Sequence, residues 1–392
     1  MKSYMKSYYL RLLLVLICIS GTVTAQTKAQ KAQLKQQLQA KLDSLQQANK
    51  FPGATFTVIL PDGDKIAIAT GIADSTGLIK MSPDHRMLSG SNGKTLFAAS
   101  AMVLHEQGLF KLDDKIEKYI GDEEWFTRLP NAQSITMRML LNHTSGIEEY
   151  YELGDFMQRL KQNPTHTWKP VEILSYIFDR KPLFEAGKGW GYADTNFILL
   201  GYILEKISGK TMYDMANTHV IKPYKLSATE PSVKRNYKRF AVGYSNPTSP
   251  FPFHGPMVKN GEMAFSPQFE WTGGGFVSSA SDLATWAKGF YNFKAITSES
   301  REAITQGVPA KTGRDHLYGL GMQIRPTGFT KYSYGHSGWF PGYISDAAYF
   351  PDMNIAMGIQ FNTDNFRLLK RSSYAYLLDM AKLVTAMQEK GK

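Results

Sequence analysis

The sequence predicts an α+β fold (α/β in the broad sense) in which one antiparallel sheet, flanked by helices, draws strands from both ends of the chain. Three observations predict it: strand patterning over residues 54–74, helical patterning over most of residues 91–230, and strand patterning again from residue 332. Strands from both termini that pair would close one sheet around an inserted, mainly helical lobe at about residues 91–270. The 392 residues are 43% hydrophobic and 20% charged, as in globular proteins with a large core.

The first 25 residues have the pattern of a secretory signal peptide that is cleaved before Gln26. Three basic residues precede an apolar run at 12–19, and small or short residues at 23–25 offer a cleavage site. An uncleaved membrane anchor is the alternative, but the apolar run is far shorter than the roughly 20 residues that span a bilayer. We therefore expect an exported protein, periplasmic or secreted, with no membrane span after cleavage.

Composition narrows the chemistry of the mature chain. The only cysteine, Cys18, lies in the leader, which excludes disulfides, thiolate catalysis and cysteine-bound metals. The eight histidines are scattered without paired ligand spacing, so we expect no metal and no other cofactor. The formal charge is +11, and the three basic residues of the leader leave +8. This surplus is not clustered in Lys/Arg runs, so we expect no nucleic-acid partner.

Residues 26–44 are rich in Gln, Lys and Ala, and we expect a loose basic tether that leads into a helix with leucines at helical spacing. A single catalytic domain is predicted over residues 45–390. It starts with a hairpin of two strands that turns at residues 61–64, Pro-Asp-Gly-Asp.

Helical periodicity and terminal signals predict the remaining helices, at 91–108, 136–142, 196–207, 279–290 and 366–388. Residues 230–270 are rich in Pro, Gly, Asn and Phe, which predicts long surface loops. The strands YSYGHSGW and GYISDAAYFPDMNIAMGIQFN follow, the second being a hairpin that turns at Pro351-Asp352.

The segment SGSNGKT at residues 89–95 allows two interpretations. It ends like a nucleotide-binding P-loop, but Leu88 occupies the position of the first glycine, and no buried parallel strand precedes it. An α/β-hydrolase nucleophile motif, Gly-x-Ser-x-Gly, also fails around Ser91, because Ser89 takes the place of its first glycine. The P-loop and the α/β-hydrolase motif are therefore rejected for this segment.

The second interpretation of the segment is a serine nucleophile with its base. Ser91 and Lys94 stand three residues apart at the start of a helical pattern, so their side chains are neighbours on one face. A serine is a weak nucleophile at its own pKa and needs a base, and a buried lysine with a depressed pKa can serve as that base. The helix N-terminus adds positive potential and free amides for a developing oxyanion. Ser-x-x-Lys occurs by chance in many helices, so further motifs are needed.

Those motifs follow in order along the chain. Ser91-Asn92-Gly93-Lys94 precedes GYADTNFILLGYILEKISG, which contains Tyr192-Ala193-Asp194, and then GHSGWFPGY, which contains His336-Ser337-Gly338. Secondary matches are LHEQGLFKLDD, MLLNHTSGI and GGGFVSSASDLA. Together they resemble the serine β-lactamase and penicillin-binding-protein family, in particular its class C, D-Ala-D-Ala carboxypeptidase and esterase-like members. The resemblance covers roughly residues 45–385 and implies a β-lactamase/transpeptidase-like fold.

The resemblance implies a role for each matched residue. Ser91 is the nucleophile, Lys94 its partner, and Tyr192 relays protons as a phenolate or phenol, with a nearby lysine ammonium favouring the ionised form. His336 polarises the site or binds a substrate carboxylate. The backbone N–H groups of Ser91 and Trp339 form the oxyanion hole.

Asp194, Ser337 and Gly338 are implied to contact substrate, and His143 of NHTSG is expected to hold a loop. Two positions depart from the family pattern: Asp194 replaces an asparagine, and His336 replaces the lysine of true β-lactamases. A carboxylate beside Lys94 favours its charged form, which shifts the expected proton transfer to Tyr192.

The sequence therefore predicts a serine hydrolase that acts through an acyl-enzyme on a small peptide or ester, with cell-wall peptides of the D-Ala-D-Ala type first. A carboxylesterase or a weak β-lactamase would use the same site. A catalytically silent protein that binds the wall or senses its peptides is the alternative from another class. The natural substrate and the oligomeric state stay open.

Overall fold

The computed structural model describes residues 27–390, and the predicted signal peptide at residues 1–25 lies outside them. A nine-stranded antiparallel sheet has the strand order β11-β12-β13-β14-β15-β16-β1-β2-β3. The strands are β1 Gly53–Ile59, β2 Lys65–Asp74, β3 Ile79–Lys80, β4 Met87–Leu88, β5 Glu230–Pro231, β6 Tyr244–Ser245, β7 Gly255–Pro256, β8 Val258–Lys259, β9 Glu262–Met263, β10 Phe276–Ser278, β11 Val308–Pro309, β12 Leu317–Tyr318, β13 Gln323–Pro326, β14 Tyr332–Phe340, β15 Tyr343–Phe350 and β16 Ile355–Phe361.

Twelve α-helices lie among the described residues. They are α1 Lys28–Asn49, α2 Lys94–Glu106, α3 Glu117–Ile120, α4 Met137–Leu141, α5 Phe156–Gln162, α6 Pro170–Leu174, α7 Asp194–Ser208, α8 Met212–Ala216, α9 Ala280–Tyr291, α10 Ser298–Thr305, α11 Phe366–Leu369 and α12 Ser373–Lys390. Seven of them, α2 to α8, form the helical lobe between the two groups of sheet strands, as the sequence predicts.

The centre of the sheet joins the two ends of the chain. Strand β1 pairs with β16 on one side and with β2 on the other, and every residue of β1 and β16 is buried. Both hairpins turn where predicted, at residues 61–64 and 351–354. Strands covered on both faces are consistent with their apolar and β-branched composition.

Helices cover both faces of this sheet. On one face, α1 and α12 pack their apolar residues against β1, β2 and β16. On the other face, Leu283, Ala284 and Ala287 of α9 contact Ala347 and Ala356 of the sheet. Helix α9 begins where its cap signal predicts, with the Ser279 side chain accepting a hydrogen bond from the Asp282 amide.

Three expectations are corrected by the structure. The expected loose tether is helical from Lys28, because Thr27 caps the helix and Leu34, Leu38 and Leu42 are buried against the sheet. The closing helix is broken at Lys370, which has a positive φ and separates α11 from α12. Residues 230–270 are partly interior. Short hairpins form in this segment, and its aromatic residues Phe251, Phe265 and Phe269 are buried in the hydrophobic core.

No helix among residues 27–390 combines the length and the apolar character that a bilayer span requires.

The packing of α1 makes a testable prediction. Leu38→Ala removes a fully buried side chain from the contact between α1 and the sheet. We expect it to lower the free energy of unfolding by about 2–5 kcal/mol, measured by urea denaturation. Gln37→Ala, at the exposed neighbouring position, is the matched control and should change stability by less than about 0.5 kcal/mol. Equal stability of both variants would contradict the packing of α1 on the sheet.

Candidate active site

Ser91 stands on a short turn that leads into helix α2. A 3₁₀ turn spans Gly90–Gly93, and α2 starts at Lys94, so the predicted helix begins three residues later than its motif. The Lys94 side chain returns along this turn, and its Nζ donates a hydrogen bond to Ser91 Oγ at 3.1 Å. The spacing of three residues therefore brings the two groups together, as the sequence predicts.

Hydrogen bonds join the turn at Gly90–Gly93, here called the nucleophile turn, to strand β15 of the sheet. Ser345 Oγ of β15 donates to the Ser89 carbonyl at 2.6 Å and accepts from Asn92 Nδ2 at 2.8 Å. Gly90 has φ +50°, and a Cβ there would lie 2.6 Å from the backbone N of Trp339. Only glycine allows this approach. The turn is thus held directly against the residue that follows the His-Ser-Gly segment.

Gly338 lies under the same turn. A Cβ at Gly338 would lie 2.0 Å from the Ser89 carbonyl oxygen, so strand β14 reaches the turn by its backbone alone. The structure places Gly338 at the contact between sheet and turn, while Trp339 lines the cavity beside Ser91.

Lys94 is fully buried and donates to three acceptors. Besides Ser91 Oγ, its Nζ donates to the carboxylate of Asp194 and to the carbonyl of Gly273. An ammonium group has three N–H donors, so every donor is used. Its Nζ also lies 4.9 Å from the centre of the Tyr192 ring. A buried charge needs this degree of pairing, and the lysine has no lone pair free in this arrangement.

Tyr192 lies beside Ser91 with a buried hydroxyl group that makes no hydrogen bond of standard geometry within residues 27–390. Burial and then the Asp194 carboxylate raise the pKa of Tyr192 well above its usual value, while the Ser91 hydroxyl lowers it. Tyr192 is therefore a neutral phenol. Its ring packs on His143, with 4.3 Å between centroids, which agrees with the expected structural role of that histidine.

Two buried glutamates surround Asp194, and the sequence motifs did not indicate either one. Glu149 accepts a hydrogen bond at 2.5 Å from the backbone N of Asp194, the first residue of α7. Glu270 is 3% exposed, and its Oε2 has no hydrogen-bond partner among the described residues. Burial and then Asp194 raise the pKa of both glutamates well above the usual value.

His336 lies with its ring centroid 6.0 Å from that of Tyr192 and is not among the described residues that line the cavity beside Ser91. Its Nε2 pairs with the Tyr318 hydroxyl at 2.8 Å, and its Nδ1 with the Ser337 carbonyl at 2.6 Å. Burial, followed by the positive charge of Lys94, lowers the pKa of His336 to about 3. The imidazole is therefore neutral and fully paired inside the protein, which does not suit the implied contact with a substrate carboxylate.

Ser337 also faces the interior. Its Oγ donates to Asp346 at 2.7 Å and accepts from Arg325 at 3.0 Å. Arg325 and Asp346 form a fully buried ion pair, 2.9 Å apart, that Ser373 of α12 completes. The structure thus uses Ser337 to hold β14 in place, where the resemblance implies a contact with substrate.

A cavity of about 120 Å³ opens beside Ser91. Its other lining residues are aromatic, acidic or proline: Tyr151, Tyr192, Asp194, Phe251, Phe269, Glu270, Trp339, Phe340 and Pro341. Within residues 27–390, no residue that lines this cavity carries a positive charge. Of the predicted site residues, the structure brings Ser91, Lys94, Tyr192 and Asp194 together, and Trp339 lines the same cavity.

Several residues of the cavity wall are not predicted by the sequence motifs. Phe251, Phe269 and Glu270 lie in the segment that was expected to be surface loops. A single acidic residue within PQFEWTGGG, among aromatic residues and beside a glycine run, is the signal that marks Glu270. Metal binding has no comparable signal, because residues 27–390 contain no group of three or more His, Cys, Asp or Glu arranged around an ion.

Comparison with known proteins agrees with this geometry. A family model described as Beta-lactamase matches residues 38–379. Among curated proteins, the chain is 25% identical to penicillin-binding protein 4* of Bacillus subtilis over 78% of its own length and 67% of the relative's. It is 23% identical to a D-aminopeptidase of Brucella anthropi over 83% of its length, and spans only 59% of that relative.

Solved structures share the fold. A D-stereospecific amidohydrolase from Streptomyces sp. superposes with a TM-score of 0.73 at 25% identity, covering 86% of this chain and 97% of the other. The D-amino acid amidase of Ochrobactrum anthropi SV3, complexed with L-phenylalanine amide, has a TM-score of 0.77 at 21% identity, covering 90% and 99%. The fold class predicted from the sequence is confirmed.

The state of His336 makes a testable prediction. Its pKa of about 3 in the folded chain lies below the value near 6.5 of an unfolded histidine, so the folded state binds fewer protons. The free energy of unfolding should therefore decrease below pH 6.5, by up to about 1.4 kcal/mol per pH unit from this residue. His336→Gln should flatten this decrease between pH 6 and pH 4 in urea denaturation.

His254, an exposed histidine, provides the matched control, and His254→Gln should retain the full pH dependence. An unchanged slope in His336→Gln would show that His336 is not held neutral.

Proposed function

The chain belongs to the serine β-lactamase and penicillin-binding-protein family, and on that premise we propose that it is an exported serine amidohydrolase that cleaves an amide bond of a D-amino acid through an acyl-enzyme on Ser91. The observation that carries the proposal is the placement of Ser91 Oγ at the cavity, hydrogen-bonded to the buried Lys94 Nζ and beside the Tyr192 phenol. Such a constellation suits covalent catalysis at a carbonyl.

Acylation can start from the arrangement of Ser91, Lys94 and Tyr192 described above. Ser91 Oγ attacks the carbonyl carbon while its proton moves to the Tyr192 oxygen and the Tyr192 proton moves to the leaving nitrogen. The new C–O bond forms, the C–N bond breaks, and the amine leaves uncharged from the enzyme. Lys94 stabilises the negative charge that develops on Ser91 Oγ. This route follows from Lys94 having no free lone pair and Tyr192 being a neutral phenol.

Deacylation reverses the proton path. A water molecule attacks the ester, its proton passes to Tyr192, and the Tyr192 proton passes to Ser91 Oγ as the ester bond breaks. The carboxylic acid leaves and the resting state returns. We propose the backbone N–H groups of Ser91 and Trp339 as the oxyanion hole. The contact between Gly90 and the Trp339 backbone supports this assignment.

The relatives favour a D-configured substrate. The names D-aminopeptidase and D-stereospecific amidohydrolase belong to proteins that are similar to this chain in sequence and in fold, respectively. A D-aminopeptidase-like or amidase-like activity is our first candidate. None of the described residues that line the cavity carries a positive charge that could bind the terminal carboxylate of a carboxypeptidase substrate. The second candidate is the D-Ala-D-Ala carboxypeptidase-like activity on cell-wall peptides expected from the sequence, which the penicillin-binding relatives favour. The leader pattern at residues 1–25 supports export, to the periplasm or the medium.

The acyl-enzyme is the first testable feature of this proposal. During hydrolysis of D-alanine p-nitroanilide, acid quenching followed by intact-mass measurement should detect the chain plus one D-alanyl group. Ser91→Ala should form no adduct and release no p-nitroaniline. Release of p-nitroaniline by Ser91→Ala would refute Ser91 as the nucleophile.

Tyr192→Phe tests the proton route. Removal of the phenol O–H breaks the relay but leaves the ring on His143, so the fold should be retained. We expect kcat to decrease by about 10²–10⁴-fold with little change in the melting temperature. Tyr151→Phe, which alters another tyrosine of the same cavity, is the control. A Tyr192→Phe enzyme with wild-type kcat would assign the proton transfer elsewhere.

A further inference from the structure

Glu270 is the acidic residue in the cavity wall that has a buried carboxyl oxygen without a hydrogen-bond partner among residues 27–390. Glu270 is only 3% exposed, and its Oε2 has no hydrogen-bond partner among residues 27–390. The following residue, Trp271, has φ +35°, a strained conformation that fixes the segment beside the glycine run. A buried carboxyl oxygen without a partner is costly, so a ligand that supplies a donor would be favoured there.

The protein itself supplies no cation for Glu270. Lys94 is the nearest buried ammonium group, and its three N–H donors are already directed to Ser91, Asp194 and Gly273. Glu149, by contrast, already has neutral donors at both oxygens, because the Asp194 amide and the Thr195 hydroxyl donate to them. The Gly275 backbone N–H lowers the pKa of the Glu270 carboxyl, but Oε2 has no donor among the described residues, so a donor for this oxygen would come from outside the chain.

The walls beside Glu270 select the chemistry of that partner. Tyr151, Phe251, Phe269 and Trp339 line the same cavity, and aromatic faces attract cations as well as apolar groups. Asp194 adds a second carboxylate to the lining. Aromatic walls with acidic groups fit an ammonium ion, whereas a carboxylate would meet acidic groups and no free cation among the described lining residues.

We propose that Glu270 binds the free α-ammonium group of the substrate beside Ser91. The inference rests on the proposed function and deepens it: the preferred substrates are amides and peptides with an unblocked amino terminus, cleaved after their first residue. The raised pKa of Glu270 supports the assignment, since an ammonium partner would stabilise the ionised carboxylate that burial and Asp194 disfavour in the empty site.

Two substrates that differ only in this charge test the proposal: D-alanine p-nitroanilide and its N-acetyl derivative. We expect the wild-type chain to hydrolyse the free amine with at least about 10-fold higher kcat/KM. Glu270→Gln should reduce this ratio by about 10-fold or more, chiefly through KM for the free amine. Glu205→Gln is the matched control, because Glu205 is a half-buried carboxyl that accepts from the Met212 amide outside the cavity, and its ratio should match wild type.

A wild-type preference for the acetylated substrate, or an unchanged ratio in a folded Glu270→Gln, would overturn the proposal. A second measurement needs neither turnover nor a variant. Protection of wild-type Ser91 from a fluorophosphonate should require at least about 10-fold less D-alaninamide than N-acetyl-D-alaninamide. Equal protection would also overturn the proposal. Absence of turnover combined with selective protection would instead count against the proposed hydrolysis, which separates the two failures.

Discussion

The buried ammonium group of Lys94 is the interaction on which the site depends. Its three hydrogen bonds join three parts of the chain: the nucleophile turn through Ser91, the start of α7 through Asp194, and the glycine run through Gly273. Removing any one acceptor would leave a buried charge incompletely paired, which is costly in a low-dielectric interior. The same pairing determines the chemistry, because a lysine that donates three times stabilises negative charge on serine rather than accepting its proton. Tyr192 is then the group left to move protons.

Local signals were sufficient for most of the fold. The turns at 61–64 and 351–354, the cap at Ser279 and the strand patterning from residue 332 act over a few residues, so the sequence predicts them correctly. Two other features depend on contacts across the chain. The length of α1 depends on its packing on β1, β2 and β16, the last of which lies near the other end of the chain. Residues 230–270 are ordered by aromatic side chains that pack into the core. Composition does not show which partners those side chains find.

The candidate site likewise combines residues that local sequence signals predict with residues that meet only through contacts across the chain. Ser91 and Lys94 meet because one helical turn separates them, and Tyr192 with Asp194 joins them through the motif order that the family resemblance indicated. Glu270 reaches the cavity only through the kinked segment around Trp271, and no spacing rule predicts such a contact. The roles implied for His336 and Ser337 rested on the motif, whereas their actual partners, Tyr318 and the Arg325–Asp346 pair, come from neighbouring strands of the sheet.

The rate constant for covalent labelling of Ser91 by a fluorophosphonate tests the central role of Lys94 most directly. The measurement compares wild type, Lys94→Met, Asp194→Asn and the double variant, each checked for folding by its melting temperature. If Asp194 acts through Lys94, Lys94→Met should slow labelling by about 100-fold or more, and adding Asp194→Asn should change it no further. Labelling at the wild-type rate in Lys94→Met, or independent effects that multiply in the double variant, would contradict the account.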